Sequence, residues 1–505
     1  MIKSKIDYVT NLTTLLSIPN GKSCSRQVVE TFLLIISGVI LYSIGNLMQT
    51  RAVFFWFSSL LLYQAYTVLK RSNINILYFF RYFLVWVLIF GTSTIWFAYG
   101  GEVKVAPWGV QYQTYENTLI LIFAGYLSLC GSVLGWFSSF LGNVARISEQ
   151  SSPYPFSNTR IKYLKFTGIT ITTAIVALYM YKVGGLLGGG ATYANRGRDI
   201  GFEFGIFNVI HFTGVSILLL SMYVQKRWSQ KLFIFIIASL VLGVLSGSRA
   251  DFLPQIFILL SPYIIGATFS NATISATTMI KLIAKGSLIV VIGYIAAMYV
   301  ALWRDGIDLV AVVELLIAKG RGVIINDVYG HPMLYFETGN MMLGGLYSSI
   351  IQVQEGITGY LLGQSYFNYL VIAPPAFLGL SRPLGLEWFT DIGDIRMSQG
   401  GIFEVAEAYW NFGLVGCLIV SYVISRFMGY LLINGLKRMN VFILMWYMVM
   451  GFMGLRAVWY QNFSYFRILT VMLVIYVISK LLFAWYVKSH AKKWKSGDSL
   501  QFKAL

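Results

Sequence analysis

TLILIFAGYLSLCGSVLGWFSSFL, residues Thr118–Leu141, runs its whole length without one charged side chain. A helix needs roughly 20 apolar residues to cross about 30 Å of hydrocarbon, so this stretch is read as a membrane span. Comparable runs recur on both sides of it from Val28 to Val487. With 505 residues, 57% of them hydrophobic and 11% charged, the composition excludes a soluble enzyme.

A hydropathy window of about 19 residues yields about twelve spans and an all-α, polytopic transmembrane protein. The first five are Val28–Leu47, Ala52–Leu69, Ile74–Ala98, Thr118–Leu141 and Leu164–Val183. Gly205–Val224, Leu232–Ser246, Phe252–Phe269 and Leu282–Trp303 follow, then Phe412–Leu432, Val441–Leu455 and Ile468–Val487. Lysine and arginine collect in alternate connections: Lys70 and Arg71, then Arg146 to Lys165, Lys226 to Lys231, Lys281 and Lys285, and Lys437 and Arg438. Because such residues are retained on the cytoplasmic side, this alternation and the tail lysines 488, 492, 493 and 495 place both termini inside. The same bias accounts for much of the net charge of +18 and removes nucleic acid as a partner. The expected organisation is a cytoplasmic segment 1–27, spans one to nine in 28–303, a long periplasmic loop 304–411, spans ten to twelve in 412–487, and a basic tail 488–505.

The 304–411 segment is too long for a structureless connection, and function is expected to concentrate there. Asp308–Ala318 reads as a short interfacial helix, and Ala373-Pro374-Pro375 reads as a break. Cations on the outer face oppose the topology rule, and here they are mostly arginine: Arg51, Arg196, Arg198, Arg249, Arg304, Arg321, Arg382, Arg396, Arg456 and Arg467. Guanidinium is planar, permanently charged and bidentate, which suits phosphate or pyrophosphate oxygens near a low-dielectric boundary. Pairing with Asp199, Asp251, Asp305 or Asp394, or with lipid headgroups, is the competing use. Gly247-Ser248-Arg249-Ala250-Asp251 makes so short a connection that Arg249 stays at the membrane boundary.

Other candidates are fewer. His331 is the histidine of the long segment and a candidate general base, whereas His211 reads as a packing residue within a span. Glu404 and Glu407, three apart on an expected helix leading into the tenth span, share a face. They could orient or deprotonate a sugar hydroxyl, or pair with Arg396 or Arg456. Asp391 and Asp394 are weak ion ligands, no metal-binding spacing occurs, and no metal or other cofactor is expected. The glycine tract Gly184–Gly190 lacks the Lys-Ser or Lys-Thr of a nucleotide loop. Three cysteines, Cys24, Cys130 and Cys417, offer no disulfide framework. Aromatic residues at span ends, Trp108, Tyr112, Trp388, Trp410, Trp459 and Tyr460, read mostly as interfacial belts.

Three features together resemble the Wzy-type O-antigen or oligosaccharide repeat-unit polymerases, relatives of the O-antigen ligases. They are the twelve-span layout with one long late outer loop, the Gly247-Ser248-Arg249 turn, and the stretch Glu407-Ala408-Tyr409-Trp410-Asn411-Phe412-Gly413-Leu414-Val415-Gly416. The resemblance implies a GT-C-like, metal-independent glycosyltransferase in the inner membrane with its active site facing the periplasm. Donor and acceptor would be undecaprenyl-pyrophosphate-linked glycans, with a chain-length regulator as a further partner. Arg196, Arg198, Arg249 and Arg321 would bind pyrophosphate and stabilise the departing charge. Related ligases carry a histidine late in the long loop, whereas this chain has Glu404 and Glu407 there and His331 much earlier. A lipid-linked oligosaccharide flippase and an O-antigen ligase are the alternatives.

Overall fold

The computed structural model describes residues 21–71, 81–82, 85–86, 114–141, 158–183, 209–222, 229–245, 324–326, 332–334, 337–377, 404–437, 440–460, 465–477 and 481. In chain order these form α1 (Gly21–Met48), α2 (Ala52–Arg71), α3 (Tyr115–Phe140), α4 (Asn158–Val183), α5 (Val209–Met222) and α6 (Gln230–Leu245). A small antiparallel ladder, β1 (Ile324–Asn326) with β2 (Pro332–Leu334), comes next. Then follow α7 (Glu337–Gln354), α8 (Gln364–Phe377), α9 (Glu404–Lys437), α10 (Val441–Tyr460) and α11 (Tyr465–Val477). Among the described residues, three helices are long and apolar enough to cross a membrane, Gly21–Met48, Tyr115–Phe140 and Glu404–Gly435, and α2, α4, α5, α6, α10 and α11 contain shorter apolar stretches.

The charge-free stretch from Thr118 onward forms α3, the central pillar. Thr114 caps it, accepting from the Asn117 N–H, and nearly every residue along it is buried. Helices α1, α2, α7 and α9 pack around it. Since lipid tails are as apolar as leucine, helices in a membrane associate through close packing and hydrogen bonds, for which small residues serve best. One face of α3 supplies such residues. A Cβ on Gly131 would run into the Leu418 carbonyl and one on Gly135 into the Tyr422 carbonyl, so the α3 and α9 backbones touch there. Beside these contacts the Ser128 and Ser421 hydroxyls hydrogen-bond at 2.7 Å, and those of Ser132 and Ser425 at 2.8 Å. Gly38 and Gly45 make room on α1 for Tyr126 and Leu119 of α3, and the Tyr126 hydroxyl donates to the Leu34 carbonyl.

Polarity is arranged inside out. Gln27 of α1 donates to Thr67 of α2 within the bundle, and Gln64 receives the Tyr82 hydroxyl. Outward from the same helices point Phe32, Leu33, Ile36 and Ile40 of α1, Trp56, Leu62 and Tyr66 of α2, and Val415, Ile419 and Val423 of α9. An apolar exterior around an interior of hydrogen-bonded polar side chains is the arrangement a hydrocarbon solvent imposes.

One expectation about the long 304–411 segment is corrected, the break at Ala373-Pro374-Pro375. Much of its described part is helix: α7 packs on α3 and α9, with the Tyr347 and Thr118 hydroxyls 2.6 Å apart. The helix α8 also runs through Ala373-Pro374-Pro375 and ends at Phe377. Pro374 and Pro375 bring no N–H to bond the carbonyls four residues earlier, yet the helix persists through them for its last turn. The ladder β1–β2 was not expected. The helix expected at Asp308–Ala318 lies outside the described residues.

Candidate functional site

Helix α9 is not the straight entry into a span that its sequence suggests. At Phe412 (φ −141°, ψ 16°) and Gly413 (φ 65°, ψ −154°) the helix is interrupted. A continuous helix would separate residues twelve apart by about 18 Å. Here the Cys417 thiol instead lies 3.7 Å from the Val405 carbonyl, and a Cβ on Gly416 would overlap the Ala408 carbonyl. The short limb, 404–411, therefore folds back against the start of the long limb, making a re-entrant helical hairpin.

Breaking a helix strands backbone carbonyls, which need donors when buried. The α7–α8 connection supplies them. Leu361 N–H donates to the Trp410 carbonyl and Leu362 N–H to the Asn411 carbonyl, both at 3.0 Å, while Gly363 N–H reaches Asn411 Oδ1 at 3.0 Å. Trp410 Nε1 donates to Thr358 Oγ1 at 3.1 Å. Trp410, expected in an interfacial belt, is thus buried, because its limb turns into the bundle. Only glycine adopts the Gly413 backbone readily, and Tyr360 Oη would stand 3.2 Å from an added Cβ. Gly413→Ala is expected to destabilise the protein by about 1–3 kcal/mol through strain alone, read as a lower unfolding temperature in detergent.

The short limb carries both candidate carboxylates into the interior: Glu404 is 3% exposed and Glu407 fully buried. They meet different partners. Glu407 Oε1 accepts from Ser365 Oγ at 2.8 Å, Ser365 accepts from Asn411 Nδ2 at 2.8 Å, and Asn411 also donates to the Glu407 carbonyl. Tyr369, also buried, faces the Glu407 carboxylate. Glu404 Oε1 accepts from Arg81 Nη2 at 2.6 Å, an ion pair buried on both sides. Arg81 Nε donates to Tyr465 Oη at 2.8 Å, and Nη1 lies 3.4 and 3.5 Å from the Ser132 and Ser425 hydroxyls. One guanidinium thereby joins the third apolar run to α3, α11 and both limbs of α9.

The partner of Glu404 is Arg81, in place of the Arg396 or Arg456 weighed from the sequence. Sequence reasoning missed Arg81 because it searched the outer connections. The signal was an arginine within the apolar run Ile74–Ala98, since ionisable residues inside spans are expensive and mark function by default. Ser365, Asn411 and Tyr369 carried no such signal. Arg196, Arg198, Arg249, Arg304, Arg321, His331 and Arg396 lie outside the described residues, as do Asp391 and Asp394. Arg456 lies near the C-terminal end of α10. Arg51, at the α1–α2 turn, is exposed. His211 is a packing residue as expected, buried with a ring nitrogen 3.1 Å from Ser239 Oγ.

A membrane-embedded helical protein, with its polar groups turned inward around two buried carboxylates, is the class these features define. The sequence profile of the family described as O-antigen polysaccharide polymerase Wzy matches residues 27–318, more than half of the chain, and the chain belongs to that family. This places it in polysaccharide biosynthesis as an O-antigen polymerase. No curated protein and no solved structure matches the chain significantly. The matched residues include Arg81 and stop before the hairpin that carries its partner.

Proposed function

We propose that the protein joins undecaprenyl-pyrophosphate-linked oligosaccharide repeat units at the periplasmic face of the bacterial inner membrane, as a GT-C-like, metal-independent glycosyltransferase with both termini cytoplasmic. The observation that carries the reading is the pair of buried carboxylates on a re-entrant hairpin, in a chain of this polymerase family. In the reaction the bond from the donor's anomeric carbon to the pyrophosphate oxygen breaks, and a bond to an acceptor hydroxyl oxygen forms. The hydroxyl proton passes to a carboxylate, Glu404 or Glu407, with His331 as the other candidate base. Arg249 and the cations Arg196, Arg198 and Arg321 neutralise the pyrophosphate as it departs, while Arg304, Arg396 and Arg456 hold the glycan. A chain-length regulator is the expected protein partner.

Reconstitution of the purified protein with lipid-linked repeat units tests this. A ladder of multimers with released undecaprenyl pyrophosphate is expected, and Arg249→Lys or Arg249→Ala should abolish the ladder while leaving protein in the membrane. Unchanged monomer that moves between leaflets of a vesicle would mean a flippase, and transfer to a lipid A core acceptor in place of a repeat unit would mean a ligase.

A further inference from the structure

Resting on that reading, we infer that Arg81 is a positioning residue for the polymerisation. It holds Glu404 as a fixed carboxylate with one oxygen engaged and the other, Oε2, kept as the acceptor for an O–H donor from the substrate.

The geometry separates this from a pair that only fastens helices. Every nitrogen of the Arg81 guanidinium has a direction assigned: Nη2 to Glu404 Oε1, Nε to Tyr465 Oη, and Nη1 toward the two hydroxyls of Ser132 and Ser425. Tyr465 is itself fixed, packed on Gly454 and donating to its carbonyl at 3.3 Å. The cation is therefore held from several helices and cannot follow the carboxylate. Glu404 receives one of these bonds on Oε1, while its Oε2 is buried and has no hydrogen-bond partner among the described residues. A buried polar atom without a partner is unfavourable, and a buried ion pair is replaceable by apolar side chains of similar volume without loss of stability. Glu404 also opens the short limb, where the unpaired N–H groups and dipole of a helix favour a negative charge. A sugar carries hydroxyls, and a growing glycan must present one to the donor's anomeric carbon. A carboxylate oxygen with no partner among the described residues orients such a hydroxyl and takes its proton as the new glycosidic bond forms.

The test uses the full-length protein in the reconstituted polymerisation, with detergent unfolding temperature measured in parallel. The double variant Arg81→Met with Glu404→Leu replaces the pair by apolar volume. It is expected to unfold at the wild-type temperature or above, and to lose chain growth by about 100-fold or more, the size of a general-base contribution. Glu404→Gln keeps an amide oxygen for Arg81 and turns the other position from acceptor to donor; it should stay folded with kcat reduced to a similar degree and KM for the lipid-linked unit within about twofold. Arg81→Lys, which retains the cation but not the fork, should recover part of the kcat that the double variant loses. Wild-type turnover in the folded double variant or in Glu404→Gln overturns the proposal. So does loss of folded protein in both, which makes the pair a structural clamp. If the wild type itself forms no multimers, the polymerase reading fails first and takes this one with it.

Discussion

Replacing Arg81 alone by alanine should remove folded protein from the membrane. The substitution leaves the Glu404 carboxylate buried without its counter-charge, and breaking a buried pair on one side costs about 3–5 kcal/mol. A native protein has roughly 5–15 kcal/mol in all, so much of the fold's margin goes with one side chain. The expected result is a steep fall in monodisperse protein recovered in detergent, largely reversed when Glu404→Leu is added and Arg81 is methionine. Normal recovery of Arg81→Ala would mean that Glu404 finds another donor once the guanidinium is gone.

Gly131→Ala and Gly135→Ala should each lose about 1–3 kcal/mol, the range for overpacking a filled site. Either added methyl meets a backbone carbonyl of α9, Leu418 or Tyr422, and a backbone inside a helix cannot swing aside as a side-chain end can. Parting the helices also stretches the Ser128–Ser421 and Ser132–Ser425 hydrogen bonds, and with them the serines beside Arg81. Gly21→Ala on α1 is the control. Nothing lies within 4 Å of a Cβ there, so alanine at that helix end meets no neighbour. Unfolding temperatures in detergent that fell equally at all three positions would show that the close approach of α3 and α9 is not what they report.

Hydropathy located the helices because it registers apolar stretches of spanning length, whether they face lipid or, like α3, the bundle interior. Val28–Leu47, Ala52–Leu69 and Thr118–Leu141 were read from the sequence where Gly21–Met48, Ala52–Arg71 and Tyr115–Phe140 are found. Differences lie at helix ends, where polar residues continue the backbone pattern past the hydrocarbon, as Gly21 to Gln27 do in α1. The tenth span, read from Phe412, begins where the long limb of α9 begins. What the window could not register is that Glu404–Asn411, helical on its own, reverses at the corner. That reversal depends on one glycine conformation and on donors from a connection some fifty residues earlier, neither of which leaves a hydropathy trace. Glu404 and Glu407 share a helix face by their spacing, but sharing it did not give them common partners. Glu404 reaches a residue 323 positions away, and Glu407 turns to Ser365. A contact of that separation has no local pattern; its one sign was the cost of an arginine inside an apolar run.

That separation also sets an order of events during synthesis. Arg81 leaves the ribosome 323 residues ahead of Glu404, and at about 5–20 residues per second its partner follows on the order of tens of seconds later. Through that interval the guanidinium lacks the carboxylate it pairs with in the folded protein, which comes only with the last fifth of the chain. The half of the protein that carries the family's signature thus completes its interior only when the hairpin beyond that signature is delivered, and a nascent chain halted before Glu404 presents a lone charge among apolar helices to the quality-control machinery of the membrane.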